Sequence, residues 1–402
     1  ALPCHVRTGA GRSDIDTSIS SMAPSRPSQG PGALAMRAAA AALAALAFGP
    51  TLVAGRRAGR RHVALQQPAA TASAVLAPGD SDNMAPFGAS ESRTYLIAAF
   101  PDMEQVAYCH TPDNVWRPLV TGDLRSPAGV TVDSQSARLF VADPGTNVIW
   151  LYQLSVRPDG LLETVGARRA AVQGYNASGV ATNAQGDLYF VGRAVPTDGS
   201  ATDPFTAIYR MDATSIARGD PLNPVEVYSR ANSGSPDARA WSPSGLEVDS
   251  FFIYWGNSEA GTTHGSVVKG TRMNLGPALQ AGNQVPTILD QAFDEVSGIT
   301  TTGTHVYFLT SDGVHGVLKA DVGVSNPAVG LIATENNVTS KVASTPHGSF
   351  SDITWDGGNS LYVVTSGAAG AVYTLPALNT QAHSLEKFVD APGIDSVAMY
   401  LH

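Results

Sequence analysis

Cysteine is almost missing from this sequence. Among 402 residues only Cys4 and Cys109 occur, so the body of the chain excludes a disulfide framework and a cysteine-ligated zinc site. Cys109, inside the alternating run "QVAYCHT", reads as a small strand residue. Charge is sparse as well, at 15% of residues. The nine histidines offer no better metal site. His264 and His347 fall in loops and His305 opens a strand, none with His-x-x-x-His spacing or a carboxylate to orient it. Beyond the first 65 residues no apolar run is long enough to span a bilayer.

The charge that is present is unevenly placed. Residues 1–65 carry eight Arg and two Asp, a balance of +6, whereas the rest carries 17 Lys and Arg against 32 Asp and Glu, a balance of −15. An acidic body repels nucleic acid and anionic membrane surfaces, which excludes both as partners. From Met36 the chain reads "MRAAAAALAALAFGPTLVAG": one Arg and then an apolar run of signal-peptide length. A basic, acid-poor segment follows, with the pair Arg60–Arg61 and a second small-residue stretch at Ala72-Ser73-Ala74. Residues 1–84 are therefore expected to be a targeting leader and linker, with Met22 or Met36 as candidate starts, and residues 85–402 the folded body. The two-part leader is similar to those of thylakoid-lumen proteins in algae with complex plastids. A secretory signal with a linker behind it accounts for the same residues, so the body is expected in a plastid lumen or secreted.

What the body has in abundance is turn formers, with 40 Gly and 26 Pro in the whole chain, and a repeat. "SPAGVTVDSQSARLFVAD" from Ser126 recurs as "NASGVATNAQGDLYFVGR", "SPSGLEVDSFFIYWGN", "EVSGITTTGTHVYFLTS" and "SFSDITWDGGNSLYVVTS", and "PGIDSVAMYLH" closes the chain. The anchors Gly129, Gly179, Gly245, Gly298, Asp352 and Asp395 lie 50, 66, 53, 54 and 43 residues apart, a spacing typical of propeller blades. Each full copy holds four short segments of period-two alternation separated by Gly, Asp, Asn and Pro, which is the pattern of strands. Asp133, Asn183, Asp249 and Asp356 fall where the first strand turns into the second. Before the first repeat, "RTYLIAAF", "QVAYCHT" and "WRPLVTG" supply only three strands, and the terminal "IDSVAMYLH" supplies the fourth. The expectation is all-β: a six-bladed propeller of four-stranded antiparallel blades, its ring closed by the C-terminal strand joining blade 1.

With its Gly-apolar-x-apolar-Asp units and paired aromatics, the body resembles the NHL and YWTD six-bladed propellers. "YWGN" echoes the YWTD motif in one blade only. Enzymes exist on this scaffold, and the resemblance to each group implies particular residues. The metal-binding Glu-Gly-Pro opening of the gluconolactonase group has no counterpart in "SVAMYLH" or "SESRTYLIAAF". The disulfides and zinc histidines of the amidating lyases are missing. The strictosidine-synthase group relies on a buried channel Glu. Glu247, the one Glu within a first strand, lies between Leu246 and Val248, and alternation is expected to turn it to the opposite face.

Two expectations for function follow. The leading one is a non-catalytic accessory or assembly subunit that binds a protein partner, for a lumenal location a photosynthetic membrane complex. The long loops 193–205, 230–241, 257–266 and 336–348 would carry the binding, through Asp198, Asp203, Asp237, Trp241, His264 and His347. No cofactor is needed for this role. The alternative is a metal-dependent hydrolase or lactonase at the central channel. There Asp352 and Asp395 replace the repeat glycine in neighbouring blades and would hold Ca²⁺ through carboxylate oxygens.

Overall fold

The computed structural model describes residues 93–402, apart from 197–205, 231–239, 259–264, 273–286, 294, 320–339, 345–348 and 378–382. These all belong to the second of two units into which the chain divides, Asp82–His402. The expected leader, residues 1–84, lies outside the described residues.

The described strands form six four-stranded antiparallel sheets. Blade 1 holds β1 (Thr94–Phe100), β2 (Gln105–His110) and β3 (Trp116–Val120), with β24 (Ser396–Leu401) as its inner strand. In blade 2 the strands are β4 (Gly129–Asp133), β5 (Arg138–Asp143), β6 (Val148–Val156) and β7 (Leu162–Gln173). Blade 3 contains β8 (Tyr175–Thr182), β9 (Leu188–Ala194), β10 (Ala207–Met211) and β11 (Val225–Tyr228). Blade 4 runs through β12 (Pro243–Val248), β13 (Phe252–Asn257), β14 (Gly265–Thr271) and β15 (Thr287–Phe293). Blade 5 consists of β16 (Ile299–Thr301), β17 (His305–Thr310), β18 (Gly313–Leu318) and β19 (Ser340–Ser344). Blade 6 ends the series with β20 (Phe350–Trp355), β21 (Ser360–Thr365), β22 (Ala371–Pro376) and β23 (Glu386–Asp390). The inner strands β24, β4, β8, β12, β16 and β20 each contact the next, and β20 returns to β24, which closes the ring. The expected six-bladed propeller is the observed fold, and β1 pairs antiparallel with β24 from Thr94↔Leu401 to Ala99↔Ser396.

Alternation explains how the blades pack. In β1, Tyr95, Ile97 and Ala99 face blade 2, while Leu96, Ala98 and Phe100 face blade 6. Both faces of a blade are thus interfaces, and the described core divides into six apolar clusters, one between each pair of neighbouring blades. Burying each side chain removes apolar area worth roughly 25 cal/mol per Å². Cys109 is buried between blades 6 and 1, as its alternating run implied, and burial pushes its thiol up to about 11. Trp255 is fully buried and stacks on Tyr228 of blade 3 at 4.8 Å between ring centroids.

The ring is held shut at more than its strand pairing. The β6–β7 hairpin of blade 2 extends past its own sheet and laps over blade 1. The Tyr95 hydroxyl donates to the Gly160 carbonyl at 2.8 Å, and the Leu162 amide donates to the Tyr108 hydroxyl at 3.2 Å. Leu154 and Leu162 pack there against the aromatic cluster of Tyr95, Tyr108 and Tyr400. Two segments differ from the sequence reading. Residues 212–224, for which the strand pattern gives no element, contain a six-residue helix, α1 (Ala213–Arg218), capped by Asp212 and ended by Gly219 at φ 75°. The loop expected over 336–348 contains β19, because "SKVAS" completes the sheet of blade 5.

The anchor glycines sit where inner strands converge. A Cβ on Gly129 would overlap the Ser178 carbonyl oxygen of blade 3, and one on Gly298 would meet the Asp352 Cα at 2.9 Å. Gly303, in the β16–β17 turn, has nothing within 4 Å of such a Cβ. Chemical denaturation should therefore show Gly129→Ala destabilised by about 1–3 kcal/mol through overpacking, with Gly303→Ala close to wild type. Equal effects at the two positions would contradict close approach as the reason for the anchor.

Candidate functional site

At the axis the inner strands surround a cavity of about 410 Å³, lined by residues from all six blades. A repeat is visible in its lining: Val130, Val180, Leu246, Ile299 and Ile353 each follow the anchor position, with Val397 in the closing strand, and their side chains pack into the clusters between blades. Glu247, Glu295, Asp352 and Asp395 add carboxylates to this wall, and no Lys, Arg or His is among its described lining residues.

Glu247 is where the structure departs most from the sequence reading. Alternation does send Leu246 and Val248 into the blade 3–4 cluster, so Glu247 takes the other side of β12, as expected. That side is not away from the channel. It is the approach to blade 5, along which the inner edge of β12 forms the cavity wall, and the Glu247 side chain lies there. Oε1 accepts from the Val248 amide at 2.9 Å; among the described residues Oε2 has only the Thr300 hydroxyl, at 3.5 Å. Burial pushes this carboxyl up to about 7. The Val248 amide and the Lys319 ammonium oppose that rise, and Asp352 and Asp249 add to it.

Asp352 stands at the seam of the ring. Its Oδ2 accepts from the Ser396 hydroxyl at 2.7 Å and the Val397 amide at 2.9 Å, both on β24, and Oδ1 accepts from the Ile353 amide at 2.8 Å. The Ser396 Oγ in turn accepts from the Val130 amide of blade 2 at 3.2 Å. One relay thus ties the inner strands of blades 6, 1 and 2. Burial raises the Asp352 carboxyl to about 6; the three donors oppose the rise, and nearby Asp395 reinforces it. Asp395 is different. It lines the same cavity, its carboxyl is raised by burial and by Asp102, and among the described residues no donor lies within hydrogen-bond distance of its oxygens. The structure thus brings Asp352 and Asp395 together, as the spacing implied. Among the described residues, no group of three or more His, Cys, Asp or Glu converges as a metal cage.

Beside Glu247, at the foot of β12, lies a second polar group. Asp249 Oδ1 accepts from the Phe251 and Phe252 amides, each at 2.8 Å, and Oδ2 takes the Lys319 ammonium at 2.7 Å and the Tyr254 hydroxyl at 2.9 Å. Burial alone would raise the Asp249 carboxyl, but Lys319 and the two amides outweigh it and hold it below the ordinary range. Lys319 also donates to the Thr302 carbonyl at 3.0 Å. The turn role expected of Asp249 recurs around the ring. Asp133, Asn183 and Asp356 accept from amides two to four residues ahead, and Thr302 does so in blade 5.

Of the loop residues expected to bind a partner, Asp198, Asp203, Asp237, His264 and His347 lie outside the described residues. Trp241 is half-buried. Its amide donates to Asn257 Oδ1 at 2.9 Å, and the Arg230 guanidinium lies 4.4 Å from its ring centroid. No helix among the described residues is long and apolar enough to cross a membrane.

No protein-family model matches the chain, and no curated protein does. Among solved structures it is similar to a chain of a nidogen–laminin complex. The identity is 9%, the coverage 76% of this chain and 98% of that chain, and the TM-score 0.49. It is also similar to a gluconolactonase from Xanthomonas campestris, with 14% identity, coverage of 71% and 86%, and a TM-score of 0.40.

Proposed function

We propose that the molecule is a small-molecule hydrolase of the ester or lactone class, with its site in the central cavity and Glu247 as general base. The observation that carries this reading is the state of Glu247. It is an enclosed carboxylate on a ligand-sized cavity, with one oxygen nearly free of donors and a carboxyl raised to about 7. A base titrating near the working pH combines availability with proton affinity. The free oxygen Oε2 would take a proton from water as that water adds to the substrate carbonyl. The proton would then pass to the departing alkoxide as the C–O bond breaks. The buried Thr300 hydroxyl, on β16, steadies Oε2. Lys319, pinned by Asp249 and the Thr302 carbonyl, keeps the proton affinity of Glu247 from climbing further.

A second reading, the partner-binding accessory subunit, draws support from exposed apolar side chains. Phe251 and Leu222, 73% and 63% exposed, lie on connections at the face opposite the blade-to-blade loops, and Val225, 66% exposed, opens β11 at the same face.

A panel of acetate esters and five- and six-membered lactones, followed by proton release, separates the two. The hydrolase reading expects turnover whose kcat/KM rises with pH through about 7 as Glu247 ionises. No turnover across the panel, or a rate flat between pH 5 and 9, would overturn it.

A further inference from the structure

Ligand charge is the next property written into this cavity. Resting on the reading of the cavity as the site, we propose that its ligand carries a quaternary or primary ammonium group, with Asp395 as the residue that selects for it.

The argument starts with the imbalance of the wall. Four carboxylates line it, with no Lys, Arg or His among the described lining residues. An anionic ligand entering a low-dielectric space would meet only like charge. The carboxylates are not equivalent. Asp352 already receives three protein donors, two of them from the closing strand, so its oxygens hold the ring. Glu247 has its nearly free oxygen beside Thr300 and Lys319. Glu295 is exposed at the rim. Asp395 is half-buried on the cavity wall and has no donor among the described residues. A buried carboxylate is normally satisfied by hydrogen bonds or by an opposite charge, so its missing partner points to a cation.

Two further observations bear on which cation. A divalent metal wants several oxygen ligands, yet among the described residues no cluster of three or more potential ligands forms. The branched side chains that follow the anchors pack into the blade interfaces, and the lining between the carboxylates includes the hydroxyl residues Thr131, Ser178, Ser244, Ser297 and Thr354, acceptors for the N–H groups of an ammonium.

Three acetate esters of matched shape test this: acetylcholine, its uncharged carbon isostere 3,3-dimethylbutyl acetate, and the anionic 4-acetoxybutanoate. Calorimetric titration with tetramethylammonium provides a readout that needs no catalysis. The full chain is expected to prefer acetylcholine over the isostere by at least tenfold in kcat/KM, to leave the anionic ester unhydrolysed, and to bind tetramethylammonium. Asp395→Asn, with folding checked by its melting temperature, should bring the charged-to-neutral ratio close to one and remove the calorimetric signal. Wild-type discrimination is measured independently of that variant. If all three esters are hydrolysed at similar rates, the ammonium assignment fails and the hydrolase reading stands. If tetramethylammonium binds and Asp395→Asn abolishes binding while no ester is cleaved, the assignment stands and the hydrolase reading fails. Absence of both turnover and binding overturns both.

Discussion

Replacing Glu247 with Gln is expected to abolish turnover and, at pH 8, to make the protein more stable. The two effects share one cause. In the folded state the Glu247 carboxyl titrates at about 7 because burial penalises its charge, against an ordinary value of 4.5. A carboxyl raised on folding binds its proton more tightly in the native state. Its contribution to stability is therefore intact below about 4.5 and is lost as the pH rises towards 7, the reverse of a salt-bridged carboxylate. By pH 8 the wild type carries the full penalty, about 3 kcal/mol. The Gln amide has the same shape, can accept from the Val248 amide through its oxygen, and bears no charge. Denaturation at pH 5 and pH 8 should show the variant near wild type at the first and stabilised by up to about 3 kcal/mol at the second. Removal of a general base should also lower kcat by about 10²–10⁴-fold. A variant less stable at pH 8 than wild type would show that Glu247 is a structural carboxylate, and retained turnover would remove it from the chemistry.

The second large effect belongs to Asp352. Its substitution by Ala removes the acceptor for the Ser396 hydroxyl and for the Val397 and Ile353 amides. Each buried donor left unsatisfied costs about 1–3 kcal/mol, so the three together are expected to cost roughly 3–9 kcal/mol. Because lost oxygen atoms rather than a lost charge cause this, the effect should persist at pH 5, where the wild-type carboxyl is protonated. Asp352→Asn keeps an acceptor for β24 and should cost less than half as much. Hydrogen exchange locates the damage. In the Ala variant the Val397 amide and the β1–β24 pairs should exchange faster, while β13 and β14 on the far side of the ring keep their protection. Uniform loosening, or no change at the seam, would contradict the role of Asp352 as the tie between blades 6, 1 and 2.

The architecture was legible because its signals are local. Period-two runs, the Asp or Asn at the first turns of blades 2, 3, 4 and 6 and the anchor glycines lie within a few residues of what they determine. The three-strand start and single-strand finish then fixed the closure, and β24 pairs with β1 as that count required. What escaped was set by contacts distant in sequence. Alternation placed Glu247 opposite Leu246 and Val248 correctly, but a sequence does not say that both faces of an inner strand are blade interfaces with the channel along the edge. Asp352 meets its partners 44 and 45 residues further on, so the replacement of a glycine was visible and its use was not. The β6–β7 clasp depends on Tyr95 and Tyr108, more than fifty residues upstream. Helix α1 could have been found: Asp212, a short helical run and Gly219 form a cap, body and stop.

The meeting of Arg93 with His402 has a consequence for how the chain is drawn. Each donates its amide to the other's carbonyl, at 3.1 and 3.0 Å, so a short linker joining these two residues in a variant without residues 1–92 would turn the propeller into a closed circle with little change in either strand. On such a circle no blade is first. The junction of β24 with β1 is one cut among several that leave the same six sheets, and it falls inside a blade, where hydrogen bonds between two strands span it. A cut made instead in the connection between β11 and β12 would fall between blades, where side-chain packing and a few side-chain hydrogen bonds, such as that from the Tyr228 hydroxyl to the Thr271 carbonyl at 2.9 Å, would hold the ends together. The same ring, opened at another point, would resist opening by a different force.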